Sequence, residues 1–77
     1  MLKKQIANLK DHYIICGYGR IGRTICSELE TDGVDFVVIE QDVSEIEDLD
    51  REKYLFLDMD ATTEEALQAA GIMQARG

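Results

Sequence analysis

Proline is absent from this 77-residue chain, histidine occurs once, and cysteine only twice. With no proline, the alternation of strand and helix signals runs unbroken, and no internal repeat accompanies it. Cys16 and Cys26 lie too far apart for a CxxC redox or zinc motif, and neither has a histidine neighbour. Both are expected to be buried, reduced thiols, the usual fate of cysteine in a core. The single histidine, His12, precedes the first apolar run. No nucleophile–base pair and no metal-ligand spacing is present, so nothing points to catalysis. No apolar run reaches the ~18 residues that a bilayer span requires. Met1 to Lys10 lacks the apolar block and cleavage site of a signal peptide. A soluble chain is expected.

Cations are few. Net charge is −8, with Lys3, Lys4 and Lys10 near the start and Asp42, Glu45, Glu47, Asp48, Asp50 and Glu52 crowded into one stretch. Nucleic acid and anionic lipid need basic patches, so neither is an expected partner. The acidic stretch reads as a solvated helix face, with a divalent-cation site as the alternative. The length suffices for one small domain, which buries only roughly 60% of its unfolded surface.

What is present is a strand–helix alternation. Tyr13-Ile14-Ile15-Cys16 is a short continuous apolar run ending at glycine, as in a strand buried on both faces. From Arg20 to Glu30, Ile21, Ile25 and Leu29 fall at helical spacing, and Gly33 is a stop signal. Phe36-Val37-Val38-Ile39 is the second buried run, closed by Glu40. Asp42 to Leu49 reads as a helix capped by Asp42, with Glu45 three residues on and Val43, Ile46 and Leu49 facing inward. Tyr54 to Leu57 is the third strand. Thr62 with Glu65 forms a capping box for a helix through Ala66, Leu67 and Ala70, ended by Gly71. The order β-α-β-α-β-α implies parallel strands joined by right-handed crossovers. Residues 1–10 are amphipathic, with Leu2, Ile6 and Leu9 on one side, and read either as a frayed leader or as a linker from an upstream segment.

Gly17-Tyr18-Gly19-Arg20-Ile21-Gly22 is a GxGxxG sequence. Alone it is weak evidence, but here it follows a buried strand, opens a helix, and precedes a second strand ending in an acid. That context is the dinucleotide-binding fingerprint of a Rossmann-type domain. Gly17 permits the tight turn, Gly19 lets a pyrophosphate approach the backbone, and Gly22 lets helix and strand pack closely. The exposed amides at the helix start hold the anion. Cations in a first helical turn oppose the helix dipole unless a phosphate binds there. Arg20 is therefore a candidate phosphate ligand, and Arg23 is either a second one or a solvated residue. Glu40 is placed to accept from both ribose hydroxyls and to repel a 2′-phosphate, which favours NAD(H), AMP, ADP or ATP over NADP. The whole turn, Tyr18 and Ile21 included, is expected to contact the cofactor. The fold class is thus α/β, a Rossmann-like three-layer parallel sheet represented by its N-terminal half.

The segment from Asp11-His12-Tyr13-Ile14-Ile15-Cys16 through Gly22 resembles the opening of RCK domains, the regulator of K+ conductance modules also called TrkA N-terminal domains. Phe36-Val37-Val38-Ile39-Glu40 matches as well, as does Asp60-Ala61-Thr62 leading to Leu67, Ala70-Gly71-Ile72 and Ala75. The resemblance covers residues 11–77, taken as a partial nucleotide-binding domain. It implies a regulatory module on the cytosolic side of the membrane, coupled to a pore subunit or K+ transporter. It also implies that Gly17, Gly19, Arg20 and Gly22 serve phosphate, Glu40 the ribose, and Asp60, Ala61 and Thr62 the adenine end. Met59 departs from the family, which commonly has Gly-Asp-Ala there, and is expected to crowd or cap the adenine. The chain also stops at Gly77 before a fourth strand, so the nicotinamide half is expected to be missing. The competing function is the cofactor half of an NAD-dependent dehydrogenase. Without a fourth strand, Tyr13 to Cys16 is expected to be a bare apolar edge, which favours a homodimer or larger assembly.

Overall fold

A computed structural model describes residues 2–77, with side chains from Gln5 onward. Leu2, part of the expected amphipathic face of the start, has its side chain outside the described residues. The element order is α1 (Leu2–Ala7), β1 (Tyr13–Cys16), α2 (Arg20–Thr31), β2 (Phe36–Glu40), α3 (Val43–Glu52), β3 (Phe56–Asp58) and α4 (Glu64–Ala69). The strands form one parallel sheet in the order β1-β2-β3, with Ile15 opposite Val38 and Ile39 opposite Leu57. The expected Rossmann-like α/β architecture is what the chain adopts.

Side chains of a strand alternate between faces, and β2 divides the core accordingly. Val37 and Ile39 join Ile6, Leu57, Ala66 and Ala70 on the face covered by α1 and α4. Val38 joins Ile15, Tyr18, Cys26 and Leu49 on the face covered by α2 and α3. The start of the chain thus contributes to the core, because Ile6 is only 2% exposed. His12 is buried beside α4. Its Nε2–H donates to the Ala70 carbonyl at 2.7 Å, which fixes the tautomer and leaves Nδ1 without a partner.

Helix α2 is rotated differently from the isoleucine stripe. A Cβ on Gly22 would lie 2.3 Å from the Gly17 carbonyl oxygen, so only glycine lets the helix lie this close to the turn. With Gly22 pointing inward, Cys26 and Leu29 follow at i+4 and i+7, and both pack in the core. Ile21 and Ile25 are carried round to the flank, where Ile21 is 75% exposed. A required close approach, not hydrophobicity, sets the rotation.

Four smaller expectations also change. Cys16, at the end of the edge strand, is exposed, whereas Cys26 is buried and its thiol is pushed up to about 11 by desolvation. Val43 is the first residue of α3 and 71% exposed, while Leu49 carries the burial. β3 begins two residues late because α3 runs on to a left-handed Lys53, and Tyr54 N–H still closes onto the Leu49 carbonyl. Thr63, not Thr62, caps α4, accepting from Ala66 N–H, because the Thr62 hydroxyl donates to Asp60 instead.

The edge of β1 is not bare. After Gly71, in the left-handed region at φ +77°, the chain turns back along β1. Asp11 N–H donates to Gln74 O, Arg76 N–H to His12 O, and Ile14 N–H to Gly77 O. These bonds occupy the outward backbone groups on the N-terminal side of the strand. Towards Cys16 the edge stays open, beside exposed Ile21 and Ile25.

Candidate functional site

The glycine turn lies between two clefts at the carboxyl end of the sheet. Gly17 adopts φ +94°, which side-chain-bearing residues rarely tolerate, and its N–H donates to the Ile39 carbonyl of β2. Gly19 is the N-cap of α2 in extended conformation, and no side chain caps the helix. The first amides of α2 are therefore left without intrahelical partners. A Cβ on Gly19 would have nothing within 4 Å, so the space over those amides is open. Arg20, the first helical residue, is exposed and has no ion-pair partner among the described residues. The turn thus has the features an anion needs: open space, free amides and a nearby cation.

Tyr18 serves differently. Its side chain is 4% exposed and packs in the core, edge-on to Tyr54 and beneath the Arg23 guanidinium at 4.5 Å from the ring centroid. Its backbone N–H donates to Glu40 Oε1 at 2.6 Å. The tyrosine anchors the turn and presents no side chain to a ligand. Arg23 is partly exposed but tied to α3: Glu45 and Asp48 both accept from its Nη2. Asp48 also accepts from Arg51. Part of the acidic stretch is therefore an ion-pair network joining α2 to α3, and no group of residues arranged to hold a metal occurs among the described residues.

On one side of the turn, a cleft of about 380 Å³ is lined by Cys16, Gly17, Ile39, Glu40, Gln41, Met59, Ala61 and Thr62. It joins the ends of all three strands. On the other side, an open cleft of about 610 Å³ runs along the flank, lined by Ile14, Gly19, Arg20, Ile21 and Ile25 among others. Cys16 and Gly17 border both. Of the residues singled out by sequence, Gly17, Glu40, Ala61 and Thr62 share the first cleft, while Gly19, Arg20, Ile21 and Gly22 line the second. Asp60 lines neither; its carboxylate accepts from the Thr62 amide and hydroxyl and shapes the loop. Cys16, Ile39 and Gln41 were not singled out, although each directly adjoins a residue that was. Glu40 also accepts from the amides of Gln41 and Asp42.

Several carboxylates here are held below their usual range. The Arg23 and Arg51 guanidiniums lower Asp48, the Ser44 hydroxyl and following amides lower Asp42, and the Thr62 hydroxyl and amide lower Asp60. A carboxyl lowered by folding contributes stability above its unfolded value and loses it as pH falls through the folded one. Stability is thus expected to decline below about pH 4, modestly because these groups are exposed. Urea midpoints measured against pH should show a shallower acid slope in Asp48→Asn; an unchanged slope would remove the ion-pair network from the account.

The comparisons with known proteins agree with this geometry. The family model for the TrkA-N domain matches residues 13–77. Probable potassium channel protein 2 of Methanocaldococcus jannaschii is 39% identical over 80 residues, covering 99% of this chain and 23% of the relative. Potassium channel protein 1 of the same organism is 39% identical over 75 residues, 95% of this chain and 22% of the relative. This chain therefore spans under a quarter of those proteins. The crystal structure of the TrkA-N domain of the inner membrane protein ybaL from Escherichia coli superposes with a TM-score of 0.80 at 26% identity, over 88% of this chain and 50% of that one. A glycine turn on a parallel sheet, a second strand ending in glutamate, and a match to the family over nearly the whole chain lead to one conclusion: the chain belongs to the TrkA-N domain family.

Proposed function

We propose that the chain is an adenine-nucleotide-binding regulatory module of a potassium channel or K+ transport system, acting on the cytosolic side of the membrane. The observation that carries this reading is the convergence of the glycine turn, Glu40, Ala61 and Thr62 on one pair of clefts joined at Gly17. The residues present fit the ligand. Free amides of α2 and Arg20 suit a phosphate, the Glu40 carboxylate suits a ribose, and the half-buried apolar surfaces of Met59 and Ala61 suit a purine. Regulation is favoured over catalysis because two relatives are named potassium channel proteins. No helix among the described residues is long and apolar enough to cross a membrane. In this reading the pore belongs to a partner subunit or to another part of a longer protein.

The proposed ligands are AMP, ADP, ATP or NAD(H), with NADP disfavoured by the charge of Glu40. NADPH is expected to bind on the order of ten-fold more weakly than NADH, one charge-assisted contact's worth. Glu40→Ala should erase the difference in calorimetric titration. Equal affinity of the unaltered chain for NADH and NADPH would overturn the ribose assignment.

Assembly is the second part of the proposal. Ile14, Ile21 and Ile25 leave an apolar strip beside the open end of β1, the kind of surface that pairs with another chain. Sedimentation equilibrium at micromolar concentration should give a dimer or larger species of this 8.7 kDa chain. A well-folded monomer with concentration-independent unfolding would contradict it.

A further inference from the structure

A carboxylate has two oxygens and about four lone-pair directions, and in Glu40 three of them are spent within the protein. Oε1 accepts from Tyr18 N–H at 2.6 Å, and Oε2 accepts from both Gln41 and Asp42 N–H at 3.0 Å. Oε2 is full. Oε1 has one direction left. The three donors come from two separate segments, the glycine turn after β1 and the loop that enters α3. The Tyr18 side chain is meanwhile fixed in the core beneath Arg23. The turn is therefore held at both ends of one residue, by the ring in the core and by the amide on Glu40.

We infer that Glu40 is a positioning residue for the glycine turn, and that it offers the ribose of a bound nucleotide a single acceptor in place of two. The second half deepens the nucleotide reading above and rests on it; the first half does not. Bonds to an ionised acceptor are stronger than neutral ones, so the turn is set before any ligand arrives. A nucleotide then meets a formed phosphate loop and loses less affinity to ordering it. The bookkeeping also separates the two ribose hydroxyls. One donates to the remaining site on Oε1, and the other finds no acceptor on this carboxylate. Removing them one at a time should have unequal effects.

Two measurements decide the matter. The first is residue-resolved amide hydrogen exchange in the ligand-free chain. Tyr18 N–H should be protected in the natural sequence and exchange on the order of ten-fold faster in Glu40→Ala, while Val38 in the central strand keeps its protection and reports an intact fold. Glu40→Gln retains one acceptor oxygen, enough for one of the two segments, and should fall between. Equal exchange of Tyr18 in all three chains would overturn the positioning role. The second needs no variant: calorimetric titration with ADP, 2′-deoxy-ADP and 3′-deoxy-ADP. One deoxy analogue should bind on the order of ten-fold more weakly than ADP and the other within about two-fold of it. Equal losses for both, or none for either, would overturn the single acceptor. Absence of ADP binding would overturn the nucleotide reading and the single acceptor together, while Tyr18 exchange would still decide the positioning role.

Discussion

Gly22→Ala is expected to destabilise the chain by about 3 kcal/mol or more, at the upper end of what overpacking costs. The added methyl would lie 2.3 Å from the Gly17 carbonyl oxygen, and that oxygen belongs to the backbone of the turn, not to a flexible side chain. Relief requires α2 to move off the sheet, which would lift Cys26 and Leu29 out of the core they share with Val38 and Leu49. A chain of this size has only a few kcal/mol to lose. The urea midpoint and the far-ultraviolet helical signal should both fall, and nucleotide binding should disappear with them. A variant as stable as the natural chain would mean that Gly22 does not set the packing of α2.

Gly19→Val should do the reverse. The residue has an extended backbone that any side chain adopts, and a Cβ there meets nothing within 4 Å. The fold should therefore survive, at a cost of roughly 1 kcal/mol or less, because valine is a poorer N-cap than glycine. The branched side chain would nevertheless fill the space over the free amides of α2, where a pyrophosphate must approach. ADP affinity should drop at least on the order of a hundred-fold, the loss of two or more charge-assisted bonds. Unchanged ADP affinity would show that the glycine turn is not the phosphate site. Together the two substitutions separate glycines that look alike in the motif: one is required by the protein, the other by the ligand.

That distinction marks how far the sequence could be read. The strands were legible because buried parallel strands are short apolar runs, and β1 and β2 fall where the runs predict. The Asp42 cap was legible because its spacing to Ser44 and Glu45 is local. The rotation of α2 was not. Ile21, Ile25 and Leu29 form a good apolar stripe, and only the three-dimensional contact between Gly22 and Gly17 turns part of it outward. The capping box was read with Thr62 as its cap, whereas Thr63 caps α4 because Asp60 captures the Thr62 hydroxyl. Tyr18 is the clearest case within the site. Its position in the motif suggests a ligand contact, whereas packing on Tyr54 and Arg23 makes it an anchor. The role of Glu45 and Asp48 was also hidden, because their partner Arg23 is more than twenty residues away in the chain. Apart from the α4 cap, which a neighbour two residues away decided, the features missed depend on partners distant in the chain.

The central claim is that an adenine nucleotide occupies the clefts joined at Gly17, and mapping amide chemical shifts during an ADP titration tests it most directly. Saturable shifts are predicted at Gly17 to Ile21, Gln41, Ala61 and Thr62, with little change at Glu30 and Lys53, which line a separate cleft at the opposite end of the sheet. No saturable shift up to about 1 mM ADP, the weak end of specific binding, or shifts centred on Glu30 and Lys53, would contradict it.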